Sequence, residues 1–80
     1  PGDGVTTAEL LAMLDRAFDL GDYLPHSYVD VSANDWFAPY AGIAARYELF
    51  PNRTGNRLEP NRPLTRGEVA VAIWRVLVNR

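Results

Sequence analysis

The feature that most constrains this chain is a repeat within it. "VTTAELLAMLDRA" (5–17) aligns with "LTRGEVAVAIWRV" (64–76) at an offset of 59. Thr6 matches Thr65, Glu9 matches Glu68 and Arg16 matches Arg75, and the apolar pairs Val5/Leu64, Leu10/Val69, Leu14/Ile73 and Ala17/Val76 agree. In both copies Thr-x-x-Glu precedes an apolar run, which is a capping box. The threonine hydroxyl accepts from the backbone N–H three residues on, and the glutamate reaches back to the threonine N–H. A repeat near 60 residues means the chain enters a second unit as it ends. Such units need neighbours to bury their faces.

Around this repeat the chain reads as mainly α, with three helices joined by long ordered loops in a single domain, 1–80, whose related helices fall near 6–20 and 65–79. The first helix is expected over Thr7–Leu20, with Leu10, Met13, Leu14, Ala17 and Phe18 on its apolar face. The second is expected over Trp36–Tyr47, capped by Asp35, with Pro39 tolerated in its first turn. Its buried stripe is Tyr40, Ile43, Ala44 and Tyr47. The third runs over Arg66–Asn79 and is apolar almost all round from Val69 to Val78, so it should be covered on several sides. Trp74 lies off its main stripe and is the first candidate for a contact beyond the chain, the other reading being packing on the loops. The loops 21–34 and 48–64 are rich in Gly, Pro, Asn and Asp, and "YVDV" (28–31) suits a short extended piece.

At 80 residues the core is small, and with no cysteine no disulfide or thiolate-bound metal reinforces it. The chain starts at Pro1 without a signal peptide and reads as a piece of something longer. Its longest apolar run is too short to enter a membrane as a span. Residues 1–40 hold seven acids and one arginine, and residues 41–80 seven arginines and three acids. All the basic residues are arginine, as codon bias would give, or as two-pronged recognition of carboxylate or phosphate would favour. The acidic balance and the lack of a basic run argue against nucleic acid.

Two residues break local rules. Arg66 puts a cation in the first turn of the third helix, against the helix dipole. Gly67 follows it, a poor helix former. Neither is needed by the cap, and such departures gather at functional sites. A helix N-terminus suits an anion, Arg66 adds a paired donor, and Gly67 lets a ligand approach the backbone. Arg53, Arg57 and Arg62 add to the positive field. The structural alternative pairs Arg66 with Glu59 or Asp30.

"YVDVSANDWFAPYAGIAARYELF" and "LEPNRPLTRGE" together resemble the S-layer homology (SLH) domain, with its Asp-Val, Trp, Tyr-x-x-x-Ala, Pro and Thr-Arg-x-Glu elements at matching spacing. The resemblance spans one complete repeat unit plus the first helix of the next. It implies a non-catalytic, extracellular module at the bacterial cell wall that binds an anionic, often pyruvylated, secondary wall polysaccharide. It implies further repeats as neighbours. It assigns the ligand arginine to Arg66, and matches the family's aspartate and tryptophan with Asp30 and Trp36. The candidate ligand site is therefore Arg66, Gly67, Trp36, Asp30 and Arg57. No cofactor and no metal are expected.

Trp36 also suits a core position, and Asp30 a brace of backbone N–H groups. Thr7 stands where the box has arginine, which weighs against a site at the first helix. Glu48 and Asn52 replace usual glycines, and Leu58 a phenylalanine. The alternative function is a protein–protein assembly module with a vestigial sugar site, joined to copies of itself or other domains through the third helix and Trp74. "DVSAND" (30–35) departs from a calcium loop at Asp35 and Ala41. His26 beside Ser27 makes no nucleophile–base pair. "NRT" (52–54) fits a glycosylation acceptor but gains little weight in a bacterial chain.

Overall fold

Both capping boxes form, and they set where the outer helices begin. The computed structural model describes residues 4–80, with α1 over Thr7–Phe18, α2 over Ala38–Tyr47 and α3 over Arg66–Asn79. No strand occurs among the described residues, so the protein is mainly helical. Thr6 Oγ1 accepts from the Glu9 N–H at 3.2 Å and Glu9 Oε1 from the Thr6 N–H at 2.9 Å. The matching distances for Thr65 and Glu68 are 3.1 and 2.9 Å.

α1 stops at Phe18, two residues earlier than its periodicity suggests. Asp19 turns left-handed, and the Asp15 carboxylate accepts from the N–H groups of Leu20 and Gly21 at 2.9 and 3.0 Å. α2 starts two residues later than expected. The Asp35 carboxylate is taken by the Ser32 N–H at 2.8 Å, bracing the preceding turn, so Phe37 becomes a cap without a side-chain bond. "YVDV" is not extended: Val29 and Asp30 lie in a turn.

The core joins α1, α2, α3 and the second loop through Leu11, Ile43, Leu49, Leu58 and Val76. The expected α2 stripe holds, with Ile43, Ala44 and Tyr47 buried and Tyr40 partly so. On α1 the buried face is Thr7, Ala8, Leu10, Leu11 and Leu14, while Met13 (55% exposed) and Ala17 face out. Gly42 lets the first loop lie directly on α2: a Cβ there would come within 2.0 Å of the Leu24 carbonyl oxygen.

Two features tie the second loop to α1. The loop carbonyls of Arg62 and Pro60 accept from the N–H groups of Thr7 and Ala8 at 3.1 and 2.9 Å, so the loop closes the N-terminus of α1. The segments leading into α1 and α3 then run antiparallel, with Thr6 bridged to Pro63 and the Leu64 N–H donating to the Val5 carbonyl at 2.9 Å. α3 is covered on one flank only. Ala72 and Val76 are buried, and Val71, Trp74, Leu77 and Val78 are exposed.

Candidate functional site

Consecutive residues on a helix point about 100° apart, and at the start of α3 this separates Arg66 from Gly67. Arg66 borders a largely apolar cleft of about 390 Å³ formed with Gly4, Val5, Leu64, Val69, Ala70 and Ile73. Gly67 borders a second cleft, of about 320 Å³, between the first turn of α3 and the segment Leu49–Arg53. The expected single corner is therefore two clefts flanking one helix end. A Cβ on Gly67 would meet only Thr65 Oγ1, at 3.8 Å, so packing does not require glycine.

The second cleft contains a residue that the sequence marked only as part of a diffuse positive field. Arg53 is half-buried and donates to the Leu58 carbonyl and, at 3.0 Å, to Thr7 Oγ1. Its guanidinium lies 4.8 Å over the Phe50 ring. Burial pushes its pKa down, against the raising effect of Glu59. Arg53 clamps the loop to Thr7, which is itself 0% exposed. A polar pair spanning loop and helix has no local sequence signature.

Asp30 has a structural task. Its two carboxylate oxygens accept from the N–H groups of Leu58 and Glu59, each at 2.8 Å, joining the two loops. Burial alone would push the Asp30 carboxyl up, but these N–H groups, with help from Arg57, hold it below its usual range. The calcium-like spacing is likewise spent inside the loop, since Ser32 Oγ accepts from the Asn34 N–H. Trp36 is 60% exposed, so it does not join the core. It stands edge-on to Phe37 at 5.7 Å and lines neither cleft beside α3. Arg57 lines neither cleft as well.

Most arginines of the second half are engaged within the molecule. Arg62 pairs with Glu59 at 3.2 Å and Glu68 at 3.7 Å, and Arg75 with Glu48 at 3.9 Å. Arg46 and Arg80 lie over the rings of Tyr47 and Phe18. The Thr65 N–H, against burial, holds the Glu68 carboxyl below its usual range, with Arg62 adding to the effect. Arg66 is exposed and pairs with no carboxylate among the described residues. The backbone N–H groups of Arg66 and Gly67 also find no acceptor there.

A family model described as the S-layer homology domain matches residues 27–70, from the first loop through α2 and into α3. No curated protein and no solved structure matches the chain. The match covers more than half of the chain and includes Asp30, Trp36 and the Thr65–Glu68 box around Arg66, and with the three-helix fold it shows that the chain belongs to the S-layer homology domain family.

Proposed function

We propose that this unit helps hold a bacterial surface protein on its cell wall by binding an anionic, carboxylate-bearing wall polysaccharide, pyruvylated polymers being the leading candidate. Domains of this family are cell-wall anchoring modules that bind wall polysaccharide and occur in repeats. They are non-catalytic and belong to bacterial surface proteins. The observation that carries the finer reading is Arg66. It is an exposed cation in the first turn of α3, where it weakens the helix, and it is left without a carboxylate partner while Arg62 and Arg75 are paired. Its planar guanidinium suits a carboxylate. Gly67 keeps the neighbouring backbone open. Asp30 contributes by fixing the loop, and Trp36 offers an exposed ring for a sugar outside the α3 clefts.

Removing a charge-assisted hydrogen bond costs about 1.5–3 kcal/mol. Arg66→Ala in the full surface protein should therefore weaken pull-down on purified wall polymer by roughly 10- to 100-fold. Equal binding by Arg66→Ala and wild type would overturn the assignment.

The exposed apolar residues Val71, Trp74, Leu77 and Val78 favour a second reading, a module that packs against other protein units through α3.

A further inference from the structure

A polar cleft of about 240 Å³ lies toward the other end of α3 from its capping box. The end of α2 and its left-handed C-cap supply Arg46, Tyr47 and Glu48, and α3 supplies Arg75 and Asn79. Arg75 follows Arg66 by nine residues. On a helix that spacing puts it about 14 Å further along the axis and on the opposite face. The two arginines therefore cannot grip one anionic group.

Both guanidiniums at this cleft are under-partnered. The Nε of Arg75 is buried and finds no acceptor among the described residues. Buried donors are normally paired, so Arg75 is not fixed in a finished internal network. Arg53 differs, since it donates to both Leu58 and Thr7. The one carboxylate near Arg75 is that of Glu48, 3.9 Å from Nη1, too far for a hydrogen bond. Arg46 is exposed and lies 4.9 Å over the Tyr47 ring. It pairs with no carboxylate among the described residues. Placed in the last turn of α2, it also offsets the negative end of the helix dipole, which would otherwise repel an anion. Asn79 spends one N–H on the Arg75 carbonyl, at 2.9 Å, and has a second to offer. Two cations and one loosely held carboxylate leave the cleft with positive charge and donors in excess.

We infer that this cleft is a second anion site, separate from Arg66, which takes a small oxyanion group, a carboxylate or a phosphate, on Arg46 and Arg75. A guanidinium meets either group with paired N–H bonds. The covered Nε leaves the Nη end of Arg75 for the ligand. Glu48 competes for that end, and the site opens because its hold is weak: the Glu48 side chain is 81% exposed. The inference stands apart from the wall-binding reading, because it uses none of the residues assigned there.

The test is NMR of the 80-residue chain, following the Nε–H signals of its eight arginines. Inorganic phosphate and pyruvate are titrated separately, against sodium chloride at equal ionic strength. The Arg75 signal should move and saturate with both anions. Arg46→Gln should weaken the apparent affinity by about tenfold, the loss of one charge-assisted contact. Glu48→Gln should tighten it by about fivefold, the effect of one like charge near 4 Å in water. Arg66→Ala should leave it unchanged. Amide spectra check that each variant keeps the fold. Purified wall polymer added to Arg66→Ala then identifies the source. A moving Arg75 signal assigns the oxyanion to the polymer, and a response to the free ions alone assigns it to small solutes. Three results overturn the inference: a shift shared by all the arginines that never saturates, binding indifferent to Arg46→Gln, or binding lost in Arg66→Ala.

Discussion

Glu48 holds φ at 52°, in the left-handed region, at the position where the family commonly has glycine. A side chain there costs roughly 1 kcal/mol. Its compensation is weak, because the pair with Arg75 is 3.9 Å long and the Glu48 side chain is 81% exposed. Glu48→Gly should therefore stabilise the fold by up to about 0.5 kcal/mol, after the greater unfolded-state freedom of glycine is subtracted. Urea unfolding reads this directly, and a lower midpoint would show that the Arg75 pair outweighs the backbone strain. The same neighbourhood shows how far single residues can be read from sequence. Thr65 and Glu68 are legible because a capping box is local. Arg66 is legible because it violates the dipole preference of that same turn. Arg53 is not, because its role depends on the loop folding back onto Thr7, 46 positions away.

At the scale of elements, the helices were recognisable from their periodicity, and their limits shifted where a polar side chain found another partner. Asp35 would cap α2 if it were free, but the Ser32 N–H holds it. Asp15 ends α1 early by collecting the N–H groups beyond it. The face of α1 differs from its apolar periodicity at Met13 and Ala17, because the buried flank is the one that runs through Thr7, Ala8, Leu11 and Leu14. Periodicity marks which residues are apolar, and which of them are buried is set by the elements that pack on the helix. Packing of the first loop on α2 turns on Gly42, where the Leu24 backbone leaves no room for a methyl group. Gly42→Ala should destabilise the protein by about 1–3 kcal/mol despite the better helix propensity of alanine. Thermal unfolding checks it, and unchanged stability would mean the loop moves aside without cost.

For the molecule as a whole, the uneven charge of the sequence is largely consumed internally: Arg53 clamps a loop, Arg62 and Arg75 pair with acids, and Arg46 and Arg80 cover rings. What remains outward is Arg57, Arg66 and the apolar flank of α3, with Trp74 59% exposed. Sedimentation of the 80-residue chain tests what that flank does, and a strict monomer would count against the assembly reading. A dimer abolished by Trp74→Ser would move support to the assembly reading. The contact between Val5 and Leu64 bears on how such units build outward. These residues are twins, one repeat apart, yet they are joined by a single hydrogen bond of 2.9 Å. The chain makes a full circuit of the fold and gains almost no distance. Successive units so related would turn about a nearby axis instead of stretching into a line. Added repeats would then multiply the points of attachment at one spot and leave the reach of the tether unchanged.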